Sequence, residues 1–436
     1  MEVWRDIDAP CGRIRTYRDG QVIRARGIRY ARAARFAPPA DEERTDFIDA
    51  LGPGPACPQP KRDPNAEMSF DQIGDLPMSE DCLRVSVTMP ADPEPSAGGT
   101  TLPVLVWIHG GAYVAGAGDA EIYDPRALVE EQSLIVVSVT YRLGVLGFLG
   151  TGKPEHANLG LLDQISALRW VQRNIAAFGG DPNNVTIAGQ SAGADACAHL
   201  MIAEGTAGLF SRVIMPSPPL GLSGGTESMN WAMAKVTRRI DPDAPIGDIL
   251  KAQEEVHRAA LVGGLHAGMC FGIRYGTHPL PPRSETGEAW SQSARKHDIL
   301  MTRTEREIAF FAGFVPALRR LHQGHVTLPM VESLISGITS AVYTRAGKEF
   351  YDRHRMAGGQ GARLLIVSRG DGTFFDAAHS GDLPLIFPGD IWHESFLDYG
   401  EMAGLAGPEL RTIWGRFAHL GVLPRLPVPG LIDILG

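Results

Sequence analysis

The chain has 436 residues, 44% hydrophobic and 21% charged, with a net charge of -9. That composition suits a globular protein with a sizeable core, and its acidic balance argues against nucleic-acid or anionic-membrane partners, which need a basic face. No apolar run approaches the roughly 18 residues of a membrane span, and the charged opening MEVWRDIDAPCGRIR lacks a signal's apolar stretch, so a cytoplasmic location is expected.

Near the N-terminus, GRIRTYRDGQVIRARGI reads as short antiparallel strands joined by an Asp-Gly turn. Apolar β-rich runs follow at 102–108, 134–140, 185–188, 212–215, 299–302 and 364–367. Between the second and third, LGLLDQISALRWVQRNIAAF places Leu161, Ile165, Leu168, Val171 and Ile175 at helical spacing, and GGDP ends the helix. Strands alternating with helices imply a mostly parallel sheet buried on both faces. PSPPLGLSGGTES, residues 216–228, reads as a long surface loop. Residues about 220–360 are helix-prone, and the parts at about 220–297 and 312–360 are expected to form a helical cap within one domain spanning 1–436.

Five cysteines are too few and too scattered for a disulfide scaffold. No C-x-x-C pair or His–Glu cluster has metal spacing, so neither metal nor cofactor is expected. The sequence leaves the oligomeric state open.

The chemistry-bearing stretch is VTIAGQSAGADACAHLM, where Ser191 stands between two glycines. A short β-branched strand precedes it and a helix-forming run follows, the context of a nucleophile elbow. The following helix would aim backbone N–H groups at developing negative charge. A second serine in the same pattern, Ser223 in GLSGG, follows a proline-rich loop and has no strand before it. Upstream, PVLVWIHGGAYVAG ends a buried strand in His109-Gly110-Gly111-Ala112. There the N–H groups of Gly111 and Ala112, with that of Ala192, could bind an oxyanion. His109, at the base of that loop, reads as structural.

These stretches together resemble the type-B carboxylesterase family of α/β-hydrolases, which includes carboxylesterases and cholinesterases. SEDCLRVSV, VWIHGGAY, YRLGVLGFL and the block ANLGLLDQISALRWVQRNIAAFGGDPNNVTIAGQSAG carry the likeness, as does GIRYARAARFAPP. It is strong over about 10–215, fades until about 298, and returns more weakly afterwards. The resemblance implies an α/β-hydrolase fold, a small-molecule ester substrate, and hydrolysis through an acyl-serine with a Ser…Glu…His order. It also implies that Cys57 and Cys82 are neighbours, where relatives form an N-terminal disulfide; in a cytoplasmic protein the pair would stay reduced.

A serine nucleophile needs a neutral imidazole held by a carboxylate. Of thirteen histidines, those after a plausible acid are His322, His325, His354, His379, His393 and His419. His379, in DGTFFDAAHSGDLPLIF, follows the last strand closely and resembles the family's histidine segment. The acid falls in HDILMTRTEREIAFF, where relatives carry Asp-Glu after the strand. Aligning Phe311 selects Glu307, with Arg306 where Asp is usual; sliding the frame by two selects Glu305. On a helix the two would point about 200° apart, so only one can reach His379. Asp371 and Asp376 remain further candidates.

GLFSRVIMPSPPLG departs from the relatives, whose corresponding segment lines the substrate approach, so their substrates do not transfer. Asp195, in GADA after the elbow, reads as a carboxylate favoured by the helix start. The main expectation is a serine carboxylesterase. Amide or carbamate hydrolysis is the alternative within the family, and a non-catalytic binding protein on the same fold is the alternative outside it.

Overall fold

The computed structural model describes residues 2–60, 73–92, 101–150, 152–223, 227–367, 373–393, 395–398, 400–421 and 432–435. The N-terminal strands are β1 (Glu2–Ala9), β2 (Gly12–Asp19) and β3 (Val22–Arg29), followed by the short β4 (Ala31–Arg32), β5 (Ala40–Asp41) and β6 (Phe47–Asp49). The central strands are β7 (Arg84–Pro90), β8 (Leu102–Ile108), β9 (Ile135–Thr140), β10 (Gly180–Gly189) and β11 (Arg212–Pro216). Last come β12 (Asp298–Thr304), β13 (Gly361–Ile366) and β14 (Ile432–Leu435).

One twelve-stranded sheet runs in the order β1-β2-β3-β7-β9-β8-β10-β11-β12-β13-β14, with β6 paired to β2. The stretch from β9 to β13 is parallel, and antiparallel strands flank it on both sides. The Asp-Gly turn joins β2 to β3 with Asp19 opposite Val22, as its sequence predicts. Strand β8 shows why the central runs are apolar throughout. Val104, Val106 and Ile108 enter one core, while Leu105 and Trp107 enter the other. Covering both faces requires helices on each, and a strand so covered has no polar side to show.

Helix Leu159–Asn174 realises the predicted 3.6-residue pattern, burying Leu161, Ile165, Leu168 and Val171. Beyond it the chain passes through a 3-10 turn at Ile175–Phe178, and Gly179 takes a φ of 85° to end it. Strand β10 begins at Gly180, earlier than the β-branched run alone suggests. Between β11 and β12 lie helices Glu227–Thr237, Ile246–Ala260 and Thr286–Ser293; four more, spanning Glu307 to Met356, separate β12 from β13.

One expectation needs correction. Ser217, Pro218 and Pro219, read from sequence as surface loop, are buried. The Ser217 N–H donates to Thr302 O at 2.7 Å, tying the segment to the end of β12, so its backbone polarity is satisfied inside the protein. Cys57 and Cys82 are neighbours, and both are free, buried thiols. A hydrogen bond to Cys57 and burial push the Cys82 thiol well above its ordinary value.

Among the described residues, no helix is long and apolar enough to cross a membrane.

Candidate active site

Strand β10 ends at Gly189, and helix Ala192–Leu200 starts three residues later. Ser191 sits between them with φ 58° and ψ -121°, a backbone conformation that costs an L-residue roughly 1–3 kcal/mol. The surroundings enforce it. A Cβ on either Gly189 or Gly193 would collide with the Ile108 carbonyl oxygen, so the turn can pass β8 only with glycine at both places. Ser191 N–H donates to Pro216 O at 3.0 Å, and Asp195 N–H donates to Ser191 O at 2.9 Å, fixing the elbow from both sides.

The loop after β8 supplies the second part. Gly111, Ala112 and Tyr113 all take positive φ, at 105°, 52° and 62°. The N–H groups of Gly111 and Ala112, and that of Ala192 in the first helical turn, have no acceptor among the described residues. His109 lies beneath this loop, fully buried, with Nδ1 2.8 Å from Gly110 O and its ring stacked on Tyr141. Burial lowers its pKa to about 4, so it stays neutral as a packing group. Asp195 anchors the loop from the other side. It is fully buried, and it accepts the Tyr113 hydroxyl at 2.7 Å and the Ser223 hydroxyl. Ser223 is therefore a ligand of Asp195, and its place is not on an elbow.

The third part is assembled over long sequence distance. β12 ends at Thr304, and Glu307 opens helix Glu307–Gly313. Its Oε1 accepts the Thr304 N–H at 2.8 Å, and its Oε2 lies 2.6 Å from His379 Nδ1. Glu307 is fully buried and His379 is only 2% exposed. Glu305, in contrast, is exposed, and its N–H continues the strand ladder to Ile366 O at 2.9 Å. Asp376 is buried in the histidine loop; Asp371 lies outside the described residues. Phe310, Phe311 and Tyr343 surround the imidazole with ring centroids 5.2–5.9 Å away.

The other candidate histidines serve elsewhere. His354 bonds Gln360 O, His419 bonds Gln132 O, and His322 bonds Glu332. His393 is exposed.

Two residues overlooked in the sequence act on His379. Gln190 Nε2 lies 3.2 Å from His379 Nε2 and 3.1 Å from Ser380 Oγ. A donor at Nε2 and a carboxylate at Nδ1 together suit the tautomer with its proton on Nδ1 and the lone pair on Nε2. Ser191 Oγ makes no hydrogen bond to that nitrogen, although both line one cavity of about 220 Å³. Arg306 fastens the loop carrying His379: its Nη1 donates to Phe374 O at 3.1 Å and Asp376 O at 2.9 Å. Its other edge pairs with Glu332 at 2.7 Å. The only sequence hint was a cation at a position where the relatives carry Asp. Another buried carboxyl, Asp382, has its pKa raised to about 7 by burial and by the charge of Glu307.

The same cavity is lined by Gly111, Ala112, Val114, Pro219, Leu222, Met269, Phe310, Phe311 and Leu383. Its walls are largely apolar. Among the described residues, no group of three or more His, Cys, Asp or Glu could hold a metal ion.

The model of the carboxylesterase family matches residues 6–241. A probable N-octanoylanthranilate hydrolase of Rhodococcus erythropolis is 36% identical, over 96% of this chain and 94% of its own. Para-nitrobenzyl esterase of Bacillus subtilis is 42% identical, over 47% of this chain and 42% of its own. Among solved structures, a thermophilic PNB esterase superposes with a TM-score of 0.80 at 27% identity, covering 99% of this chain and 97% of that one. The chain belongs to the carboxylesterase family and is a carboxylic ester hydrolase on the α/β-hydrolase fold.

Proposed function

We propose that Ser191, His379 and Glu307 form the catalytic triad, with Gly111, Ala112 and Ala192 as the oxyanion hole. Ser191 Oγ attacks the acyl carbon while His379 Nε2 takes its proton. The tetrahedral oxyanion is held by the three N–H groups, each such donor contributing about 100- to 1000-fold in rate. The imidazolium then protonates the departing alcohol, leaving an acyl-serine. Water, deprotonated by His379, releases the acid and restores Ser191. Glu307 orients the ring and stabilises its cation. For the first step, His379 Nε2 must exchange Gln190 for Ser191 Oγ, a rearrangement expected when substrate tightens contacts that are loose in the free enzyme.

The observation that carries this reading is the 2.6 Å Glu307–His379 bond within a cavity also lined by Ser191 and the oxyanion loop. The apolar walls support an apolar acyl chain, and a chromogenic ester series over acyl length tests it. Turnover is expected to rise from acetyl to a medium chain; no turnover of any ester would overturn the assignment. Amide hydrolysis is a second reading, favoured by the Rhodococcus relative, whose named substrate carries its acyl group on nitrogen. The matching N-acyl arylamine, run in the same assay, decides it.

Arg306 is a positioning residue in this scheme. Arg306→Ala is expected to lower kcat about 10- to 100-fold with KM little changed, because a misplaced base costs orientation. Arg306→Lys should recover part of the loss, as one of the two loop carbonyls can still be bonded. Equal loss in kcat and in thermal stability, without that rescue, would make the residue merely structural.

A single domain is also proposed, supported by the one sheet that runs from β1 to β14.

A further inference from the structure

Beside the catalytic cavity lies a second one of about 300 Å³, and Leu222 and Met269 line both. Arg274 and Arg283 are among the residues that line it. Arg274 is half-buried and differs from the paired arginines nearer the core. Arg142 pairs with Asp163 at 2.7 Å, Arg24 with Asp19 and Asp124 at 2.8 Å, and Arg411 with Glu131 at 2.6 Å. Arg274 has no ion pair and no side-chain hydrogen bond among the described residues, and its Nε is buried without an acceptor.

Its backbone, meanwhile, is held firmly. Asn158, fully buried, accepts the Arg274 N–H at 2.8 Å and donates to Arg274 O at 2.8 Å and Thr277 O at 3.0 Å. Tyr275 is fixed by its hydroxyl's 2.7 Å bond to His199. The carboxylate lining this cavity, Glu227, stands at an exposed position and makes no ion pair with Arg274. Burial lowers the Arg274 pKa to about 10, which still leaves it charged at neutral pH. A partly desolvated guanidinium on a firmly held backbone, with no carboxylate paired to it, carries an uncompensated desolvation cost. It becomes favourable when an anion with planar acceptor geometry arrives.

We infer that this second cavity is a carboxylate subsite, in which Arg274 receives an anionic group carried by the ester substrate away from its scissile bond. The inference rests on Ser191 being the nucleophile, since it is the shared wall of Leu222 and Met269 that puts the two cavities in reach of one molecule. It narrows the substrate class to acyl esters with an apolar chain and a carboxylate on the alcohol or acid part.

The test uses two matched ester pairs. One carries a carboxylate or its primary amide on the aryl alcohol; the other carries it at the far end of the acyl chain. Wild type is expected to prefer the carboxylate in one pair, and Arg274→Met to lower that pair's carboxylate-to-amide ratio of kcat/KM about 10- to 100-fold. The melting temperature of Arg274→Met should not fall, because the variant removes a partly buried charge that has no ion pair. Ratios unchanged by the substitution in both pairs would overturn the subsite. If the variant fails to fold, inhibition of wild type decides: benzoate should compete with the ester at least tenfold better than benzamide, and equal inhibition refutes the inference. Wild type that hydrolyses none of the four esters instead overturns the serine-esterase mechanism itself.

Discussion

Replacing Ser191 with alanine is expected to lower kcat for a chromogenic ester on the order of 10⁵- to 10⁶-fold while the protein still folds. Without Oγ no acyl-enzyme forms, and only the oxyanion donors and the bound geometry remain to assist direct attack by water. His379→Ala should cost a similar amount, because a hydroxyl without a base is a poor nucleophile at neutral pH. The double variant is therefore expected to be no slower than either single one, since both substitutions remove the same step. Steady-state kinetics on the three proteins, with circular dichroism to confirm folding, supplies the measurement. A Ser191→Ala enzyme retaining a tenth of its activity, or a multiplicative double variant, would remove Ser191 from the role. An organophosphate adduct on Ser223 would do so too, although its bond to buried Asp195 argues against that outcome.

The second large effect is expected at Glu307. Glu307→Gln should lower kcat about 10⁴-fold with little change in KM. The carboxylate accepts from His379 Nδ1, which keeps the lone pair on Nε2. A carboxamide can turn its NH₂ toward Nδ1 instead, favouring the tautomer with its proton on Nε2, which cannot act as a base. Part of the loss comes from the imidazolium, which then forms beside a neutral group. Glu305→Gln is expected to leave turnover within twofold of wild type, since Glu305 is exposed and continues the β12 ladder. If Glu305→Gln is the crippled variant and Glu307→Gln is normal, the assignment is reversed.

Some of the site was legible in the sequence because its geometry is local. Strand, Gly-Gln-Ser-Ala-Gly and helix are contiguous, and the steric demand that fixes Ser191 at φ 58° is written into its flanking glycines. The oxyanion loop is likewise one short run after β8. The alternation of apolar strands and amphipathic helices was enough to require a mostly parallel sheet, because two buried faces demand it.

The contact between Glu307 and His379 joins residues 72 apart, and sequence could only narrow it to two frames. What decides it is how the chain leaves β12. Glu305 still bonds to β13 through Ile366, the bridge between Arg306 and Ala378 turns the chain, and Glu307 then opens a helix facing inward. The clamp made by Arg306, the hold of Gln190 on His379 and the burial of Ser217 to Pro219 belong to the same class. Each depends on which distant backbone carbonyl or ring lies opposite, and composition and periodicity carry no record of that. The same is true of Arg274. Its sequence context shows one arginine among forty-one basic residues, and only folding reveals that its half-buried side chain has no ion pair. Local steric rules and hydrophobic periodicity thus determined the fold class and the elbow, whereas pairing between distant segments, set by sheet register and packing, decided which polar groups meet.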